Sequence, residues 1–211
     1  MKSKIESAAI VLAAGMSQRM GRLKMLLPFG DRPMLARSVE SLLALQEISP
    51  ILVVTGHAAQ EIEDAVREYS GIRIVPNAEY AAGGMLSSVQ AGVRALPGHC
   101  NAFFLALGDQ PMVSPQTLSA LLSARRKTGA TIVMPTYQGR RGHPVLFDRQ
   151  CGQEILELPA DATLKTLITR HADVLGEVPV SDPAILADID TPEEYERALQ
   201  IWQANHRHYK P

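Results

Sequence analysis

Residues 10–27 read IVLAAGMSQRMGRLKMLL. An apolar run, the end of a strand predicted over 5–12, breaks into Ala13-Ala14-Gly15, and Arg19 and Lys24 follow at short range. A buried strand that empties into small residues leaves bare backbone N–H groups where side chains normally stand. With two cations close behind, such a loop can hold a polyphosphate. The other reading of the same residues is a tight turn with surface cations. Spacing excludes two familiar phosphate motifs. GxxxxGK[ST] needs four residues between its glycines, whereas five separate Gly15 from Gly21 and Arg22-Leu23 follows. GxGxxG does not occur.

Outward from this loop, apolar runs alternate with amphipathic segments. Residues 33–45 predict a helix with Leu35, Val39, Leu42 and Leu43 on one side, 51–55 a strand, 58–69 a helix and 72–75 a strand. A helix over 85–96 would bury Leu86, Val89 and Val93, 102–107 is a fully apolar strand, and Ser114-Pro115 opens a further helix with an N-cap and a proline at its first position. Continuously apolar strands between helices predict an α/β fold, a mostly parallel sheet covered on both faces in three Rossmann-like layers. After Ala130 the pattern changes. Residues 131–135 and 143–147 read as two strands flanking a flexible polar loop, 150–158 and 162–170 as short helices, 174–179 and 185–189 as late strands, and 192–206 as a terminal helix. The expectation is a single domain over 1–211, with the candidate nucleotide loop in one half, 1–130, and a smaller β-rich substrate half, 131–211.

Composition narrows the function classes. With 46% hydrophobic and 20% charged residues the chain is globular. A net charge of −1 argues against a nucleic-acid binder. Charge is nonetheless local: residues 19–37 hold five bases (Arg19, Arg22, Lys24, Arg32, Arg37) against one acid, Asp31, which points to an anionic ligand at one place. Cys100 and Cys151 lack the spacing of a metal or redox pair and read as idle buried thiols. Met16, Met20, Met25 and Met34 read as packing rather than a soft-metal set. The apolar part of the N-terminus is too short for an export signal, and no stretch approaches a membrane span, so a cytoplasmic enzyme with no membrane partner is expected.

Two carboxylate groups draw attention. Asp109, in LGDQP (107–111), stands where an apolar strand ends, and a carboxylate beside a polyphosphate loop suits Mg²⁺. In Asp188-Ile189-Asp190, strand alternation would put both acids on one side. Either acid could complete a metal site with Asp109, with Asp190 preferred. Thr191-Pro192-Glu193-Glu194 also has the form of a helix start, so nearby acids have a structural use. In Gly83-Gly84-Met85-Leu86-Ser87-Ser88 the glycines permit close backbone approach, and the hydroxyls of Ser87 and Ser88 could read a base edge or ribose. Asn77 would end its strand facing the same cleft.

The pattern LAAGxSxRMGxxKxLLP over 12–28 resembles the MobA-like nucleotidyltransferases, most closely the molybdenum cofactor cytidylyltransferases. The similarity continues through NAEYAAGGMLSSV (77–89), LGDQP (107–111), RGHP (141–144) and DIDTP (188–192), essentially the whole chain in order. It implies a sheet of the nucleotide-diphospho-sugar transferase type and transfer of CMP from CTP to the phosphate of molybdopterin, the organic part of the molybdenum cofactor. It also implies a molybdoenzyme or its maturation chaperone as downstream partner. Ala14 stands where related guanylyltransferases usually carry glycine, which leans toward CTP. The resemblance makes Leu12, Ala13, Ala14, Gly15, Arg19, Lys24, Asn77, Gly83, Gly84, Ser87 and Ser88 nucleotide-binding, and Arg19, Lys24 and Asp109 catalytic. Asp109, Asp190 and Asp188 would hold Mg²⁺, with Mn²⁺ as substitute. His143 would border the acceptor site, though a histidine before proline at a strand start also has structural uses. His57, His99, His171, His206 and His208 read as surface or loop residues. The same residues also admit a guanylyltransferase, a sugar- or alcohol-phosphate nucleotidyltransferase, and a non-catalytic carrier of the cofactor.

Overall fold

The structure, a computed structural model, describes residues 6–205. Ile5 at the start of the predicted first strand, His206 at the end of the predicted last helix, and His208 lie outside the described residues. Along the chain come β1 (Ser7–Leu12), the short strands β2 (Pro28–Phe29) and β3 (Arg32–Pro33), α1 (Met34–Leu43), β4 (Ile48–Thr55), α2 (Ala59–Val66), β5 (Ile72–Pro76), α3 (Gly84–Arg94) and β6 (Ala102–Leu107). Then follow α4 (Pro115–Thr128), β7 (Ile132–Tyr137), β8 (Arg140–Arg141), β9 (Val145–Asp148), α5 (Cys151–Leu156), α6 (Leu164–Arg170), β10 (Leu175–Pro179) and α7 (Pro192–Asn205).

Every residue of β1 is buried, because both faces of its strand are covered. Ala9, Val11 and Ala13 join one core layer with Leu35 and Val39 of α1, Ile62 of α2 and Leu118 of α4. Ala8, Ile10 and Leu12 join the other with Val89 and Val93 of α3, Ile155 of α5 and Leu167 of α6. Period-2 alternation in one strand thus feeds two cores, which is why the strand reads as an unbroken apolar run. The result is the expected three-layer α/β arrangement. The sheet order is β10-β7-β9-β6-β1-β4-β5, with β8 appended to β7. Pairings along the main path are parallel except those of β9, which runs antiparallel to β6 and β7. A third cluster seats Tyr195 and Ala198 of α7 on Phe29, Met34 and Met20. No helix among the described residues is long and apolar enough to cross a membrane.

Two expectations are corrected. Residues 185–189 are not a strand: Pro183–Leu186 form a 3-10 turn, and a segment outside the sheet follows. Asp182 starts that turn by accepting the Ala184 N–H, and Pro183 fits its first position, so local capping outweighs the apolar pattern. The loop between the two predicted strands after 130 is a tight hairpin. Gln138 (φ 50°) and Gly139 (φ 76°) both take left-handed backbone, and Thr136 and Tyr137 pair with Arg141 and Arg140. Two consecutive positive φ values are the signature of a two-residue hairpin turn matched to strand twist.

That hairpin delivers residues 141–144 onto the 183–186 turn. The His143 N–H donates to the Ile185 carbonyl at 2.9 Å, and a Cβ placed on Gly142 would lie 2.2 Å from the same oxygen. Gly142→Ala is therefore expected to cost about 1–3 kcal/mol by overpacking. Gly98→Ala, where an added Cβ meets nothing within 4 Å, should stay within about 0.5 kcal/mol of wild type. Urea denaturation of the two variants checks the difference.

Candidate active site

From β1 the chain moves to β4 and β5 on one flank and then crosses to β6 on the other. The strand order reverses between β1 and β6, and open α/β sheets bind ligands beyond the carboxyl ends of their strands at that point. A cleft of ≈ 440 Å³ lies there, walled by the loop after β1, the start of α3, the turn after β6 and the segment before α7.

The loop after β1 is folded back by left-handed residues at Ser17 (φ 52°) and Gly21 (φ 64°). The Lys24 N–H donates to Ser17 Oγ at 3.2 Å, which brings a buried lysine side chain into the cleft. Gly15 differs from most glycines in the chain. An added Cβ would meet nothing within 4 Å, and its φ lies outside the left-handed region. Neither packing nor backbone strain demands glycine there, so the bare backbone is left for a ligand to approach. Across the cleft, the Gly108 N–H donates to the Leu12 carbonyl at 3.1 Å, and Ser38 Oγ donates to the Gly108 carbonyl at 2.9 Å. These bonds close the two strand ends and point Asp109 inward.

Asp188 and Asp190 both line the cleft, while Ile189 between them is buried beside Phe29 and Tyr195. The two acids thus share a side although the segment belongs to no sheet. The helix start behind it is a reciprocal cap. Glu194 Oε2 accepts the N–H groups of Asp190 (2.8 Å) and Thr191 (2.9 Å), and Thr191 Oγ1 accepts the Glu194 N–H at 3.3 Å.

Lys24 Nζ donates to Asp109 Oδ2 and, at 2.7 Å, to Asp190 Oδ1; Arg19 Nη2 donates to Asp190 Oδ2 at 2.6 Å. Burial pushes the Asp109 carboxyl above the usual carboxylate range, against the pull of Lys24. Burial alone would lower Lys24, but the two carboxylates outweigh it and hold the ammonium above the ordinary lysine value. Burial also works to raise Asp190, yet Lys24 and Arg19 together hold it below its usual range. Asp109 Oδ1 is buried with no hydrogen-bond partner among the described residues. A buried orphan oxygen, two more carboxylates on the same wall and an all-oxygen donor set fit a hard cation such as Mg²⁺. The oxygens of Asp109, Asp188 and Asp190 do not all lie within 4.8 Å of one another, and Lys24 stands between the first and the last.

Leu12, Ala14, Gly15, Arg19, Lys24, Gly84, Ser88, Asp109, Asp188 and Asp190 line the cleft; Ala13, Asn77, Gly83, Ser87 and His143 do not. Ala13 is core, its N–H donating to the Val54 carbonyl. Asn77 is a hub. Its amide donates to Ser87 Oγ (2.9 Å) and Ser88 Oγ (3.0 Å), while its oxygen accepts the Glu79 N–H. Gly83 gives Ser87 room, since a Cβ at 83 would lie 2.5 Å from that of Ser87. These residues fix the start of α3, which has no side-chain cap and opens onto the cleft at Gly84 (φ 59°). His143 packs near Asp188, and burial pushes its imidazole below the usual value despite the pull of that carboxylate. Gln110 Nε2 donates to Asp188 Oδ1 at 2.8 Å and ties that acid to the turn after β6. Of the basic cluster over 19–37, Arg32 pairs with Glu68 and Arg37 with Asp31 and Glu40; Arg19 and Lys24 line the cleft, and Arg22 does not. Sequence reasoning missed Met16, Tyr80 and Met85, which form an apolar lip. Tyr80 sits there because Gly56 gives it space: a Cβ at 56 would lie 2.5 Å from the Tyr80 Cβ.

Residues 9–174 match the MobA-like NTP transferase domain. The chain is 34% identical over 190 residues to the molybdenum cofactor cytidylyltransferase of Escherichia coli (strain K12), covering 88% of this chain and 92% of that protein. It superposes with a TM-score of 0.82 on a homologue, from Mycobacterium sp. strain JC1, of a Mycobacterium tuberculosis protein, at 29% identity over 96% of this chain and 100% of the other. The Mycobacterium tuberculosis H37Rv protein, solved in complex with manganese, superposes with a TM-score of 0.76 at 25% identity, covering 94% and 100% of the two chains. The fold is that of the nucleotide-diphospho-sugar transferases.

Removing Lys24 would leave the largely buried Asp109 carboxylate with no cation beside it. Lys24→Met is expected to lose up to about 3 kcal/mol of stability at neutral pH. In that variant the folded-state pKa of Asp109 rises further above the unfolded value of about 3.9. The penalty is then absent below the unfolded value and grows as pH rises toward the folded one. Lys24→Met/Asp109→Asn should recover much of the loss and flatten its pH dependence, as urea titrations across pH would show.

Proposed function

The chain belongs to the MobA-like NTP transferase family, and from that premise we propose that it transfers CMP from CTP to the phosphate of molybdopterin and releases pyrophosphate. The observation that carries the proposal is the Lys24 ammonium between Asp109 and Asp190, with Arg19 beside it, at the carboxyl ends of β1 and β6. Cations that can take phosphate oxygens stand there within reach of carboxylates that can take a metal.

The acceptor's terminal phosphate is its own nucleophile, since its second ionisation lies near pH 6 (about 6) and leaves it mostly dianionic at neutrality. An oxygen of that phosphate attacks the α-phosphorus of CTP. The bond to the bridging oxygen breaks, and pyrophosphate leaves with its electron pair. No general base is needed, so the residues of the cleft work by positioning and charge neutralisation. Lys24 and Arg19 would take the β- and γ-phosphates and stabilise the charge that develops there. The backbone at Ala14 and Gly15 and the open start of α3 would offer N–H groups to the nucleotide. Met16, Tyr80 and Met85 would cover the flat face of a ring system. Asp109 and Asp190, with Asp188 beside them, would hold Mg²⁺ or Mn²⁺, which supplies Lewis-acid stabilisation of the phosphoryl oxygens. His143, just behind Asp188, would support the acceptor side. CTP is preferred over GTP on Ala14 and on the cytidylyltransferase named among the relatives. The product would pass to a molybdoenzyme or its maturation chaperone in the cytoplasm.

Turnover of CTP, GTP, ATP and UTP with molybdopterin, followed by pyrophosphate release, tests the reading. CTP should dominate. Preference for GTP, or turnover only with a sugar phosphate, would replace the substrate assignment, and binding of the cofactor with no pyrophosphate release would make the protein a carrier. Asp109→Ala should abolish turnover with an unchanged circular dichroism spectrum. Lys24→Ala should lose about 2–4 kcal/mol of transition-state stabilisation, roughly 30- to 900-fold in kcat/KM.

A further inference from the structure

A second group of metal-ligating side chains lies at the other end of the sheet. Cys151 opens α5, Glu154 stands one turn later on the same helix, and His171 caps the carboxyl end of α6. The spacing of three residues puts Cys151 and Glu154 on one helix face. One ligand atom from each of the three side chains lies within 4.8 Å of the other two. His171 Nε2 is 2.9 Å from Glu154 Oε1 and 3.0 Å from Oε2. The Cys151 thiol is fully buried and donates only a long bond, 3.8 Å, to the Thr131 carbonyl. Glu154 and His171 keep 38% and 20% of their side-chain surface exposed. A buried sulfur beneath, two partly exposed ligands above, and access from solvent make a coherent donor set.

Its chemistry differs from that of the cleft. Sulfur, imidazole nitrogen and one carboxylate oxygen suit Zn²⁺, whereas an all-oxygen wall suits Mg²⁺. Tetrahedral Zn²⁺ with these ligands needs them roughly 3.5 Å apart, so rotamer adjustments of about 1 Å close the set. We propose that Cys151, Glu154 and His171 form a Zn²⁺ site with solvent completing the fourth position. Binding replaces the Cys151 S–H bond by an S–Zn bond and releases that proton to water. Without metal, burial together with Glu154 and Asp148 pushes the thiol up to about 12, so it stays protonated. A bound divalent cation reverses that preference.

Position sets the site apart from the cleft. β9 runs antiparallel to β6, with Asp148 opposite Ala102 at the start of β6. Cys151 therefore sits past the amino-terminal end of β6, and Asp109 past its carboxyl end. A metal there would staple α5 to the end of α6, two short helices joined through the loop 157–163.

The test uses the full-length protein and Co²⁺ as a spectroscopic stand-in, with Zn²⁺ for thermal shifts. Wild type should show a sulfur-to-cobalt charge-transfer band, displaced by Zn²⁺, and a melting temperature raised by Zn²⁺. Cys100→Ser should keep both. Cys151→Ser and His171→Ala should lose both while retaining nucleotidyl transfer. His171→Ala changes a partly exposed side chain, so it decides the matter if Cys151→Ser folds poorly. Oxygen ligands in the cleft give no thiolate band, so occupancy of that site is not mistaken for this one. Absence of the band in wild type, or its survival in His171→Ala, overturns the proposal and leaves a hydrogen-bonded His171–Glu154 pair above a packed thiol.

Discussion

One ammonium group shared between two carboxylates ties the functional half of this molecule together. Lys24 comes from the loop after β1, Asp109 from the turn after β6, and Asp190 from the segment leading into α7. Their meeting requires β1 beside β6 with Leu12 opposite Leu107, a glycine at 108 so that the strand ends can close, and a helix cap that fixes the Asp190 backbone. A buried ion pair of this kind is weak evidence for stability, because desolvation offsets most of the attraction. Under the proposed function, its place at the switch point of the sheet follows from what it would offer a polyphosphate and a metal.

Around that centre the cleft divides its chemistry by position. Charge is gathered at Arg19, Lys24 and the three aspartates, while Met16, Tyr80 and Met85 give an apolar lip able to cover a flat ring. Between them lie two stretches of bare backbone, at Gly15 and at the start of α3. Asn77 and Ser87 keep the start of α3 in place, and Gln110 keeps Asp188 in place, through bonds already made inside the protein. Polar residues around the cleft are thus of two kinds, those that face it and those whose hydrogen bonds hold the first kind still.

Much of the fold was legible because local rules and packing agree. The apolar runs over 102–107 and 51–55 are strands with both faces covered, and the helix beginning at Ser114-Pro115 carries its Thr117 N–H on the Ser114 hydroxyl as capping chemistry requires. Where they disagreed, the shorter-range effect won. Residues 185–189 have a strand's composition, yet Asp182 and Pro183 start a turn before any pairing can form. Polar residues 137–142 suggested a loose loop, but Gln138 and Gly139 accept the two positive φ values that a tight hairpin demands.

The sequence alone determined the alternation that makes a double-sided parallel sheet, the loop that carries Arg19 and Lys24, and the aspartates set beyond apolar runs. These are properties of neighbouring residues, written in periodicity and in turn and cap chemistry. Only the tertiary structure decided which of the candidates meet. It joined Lys24 to Asp109 across 85 positions. It turned Asn77 and Ser87 inward, and it spent Arg32 and Arg37 on acids of the protein's own. Tyr80 reached the cleft through the space above Gly56, and Cys151 found Glu154 and His171. Such pairings depend on strand order and on how closely two backbones approach, and no local pattern encodes either.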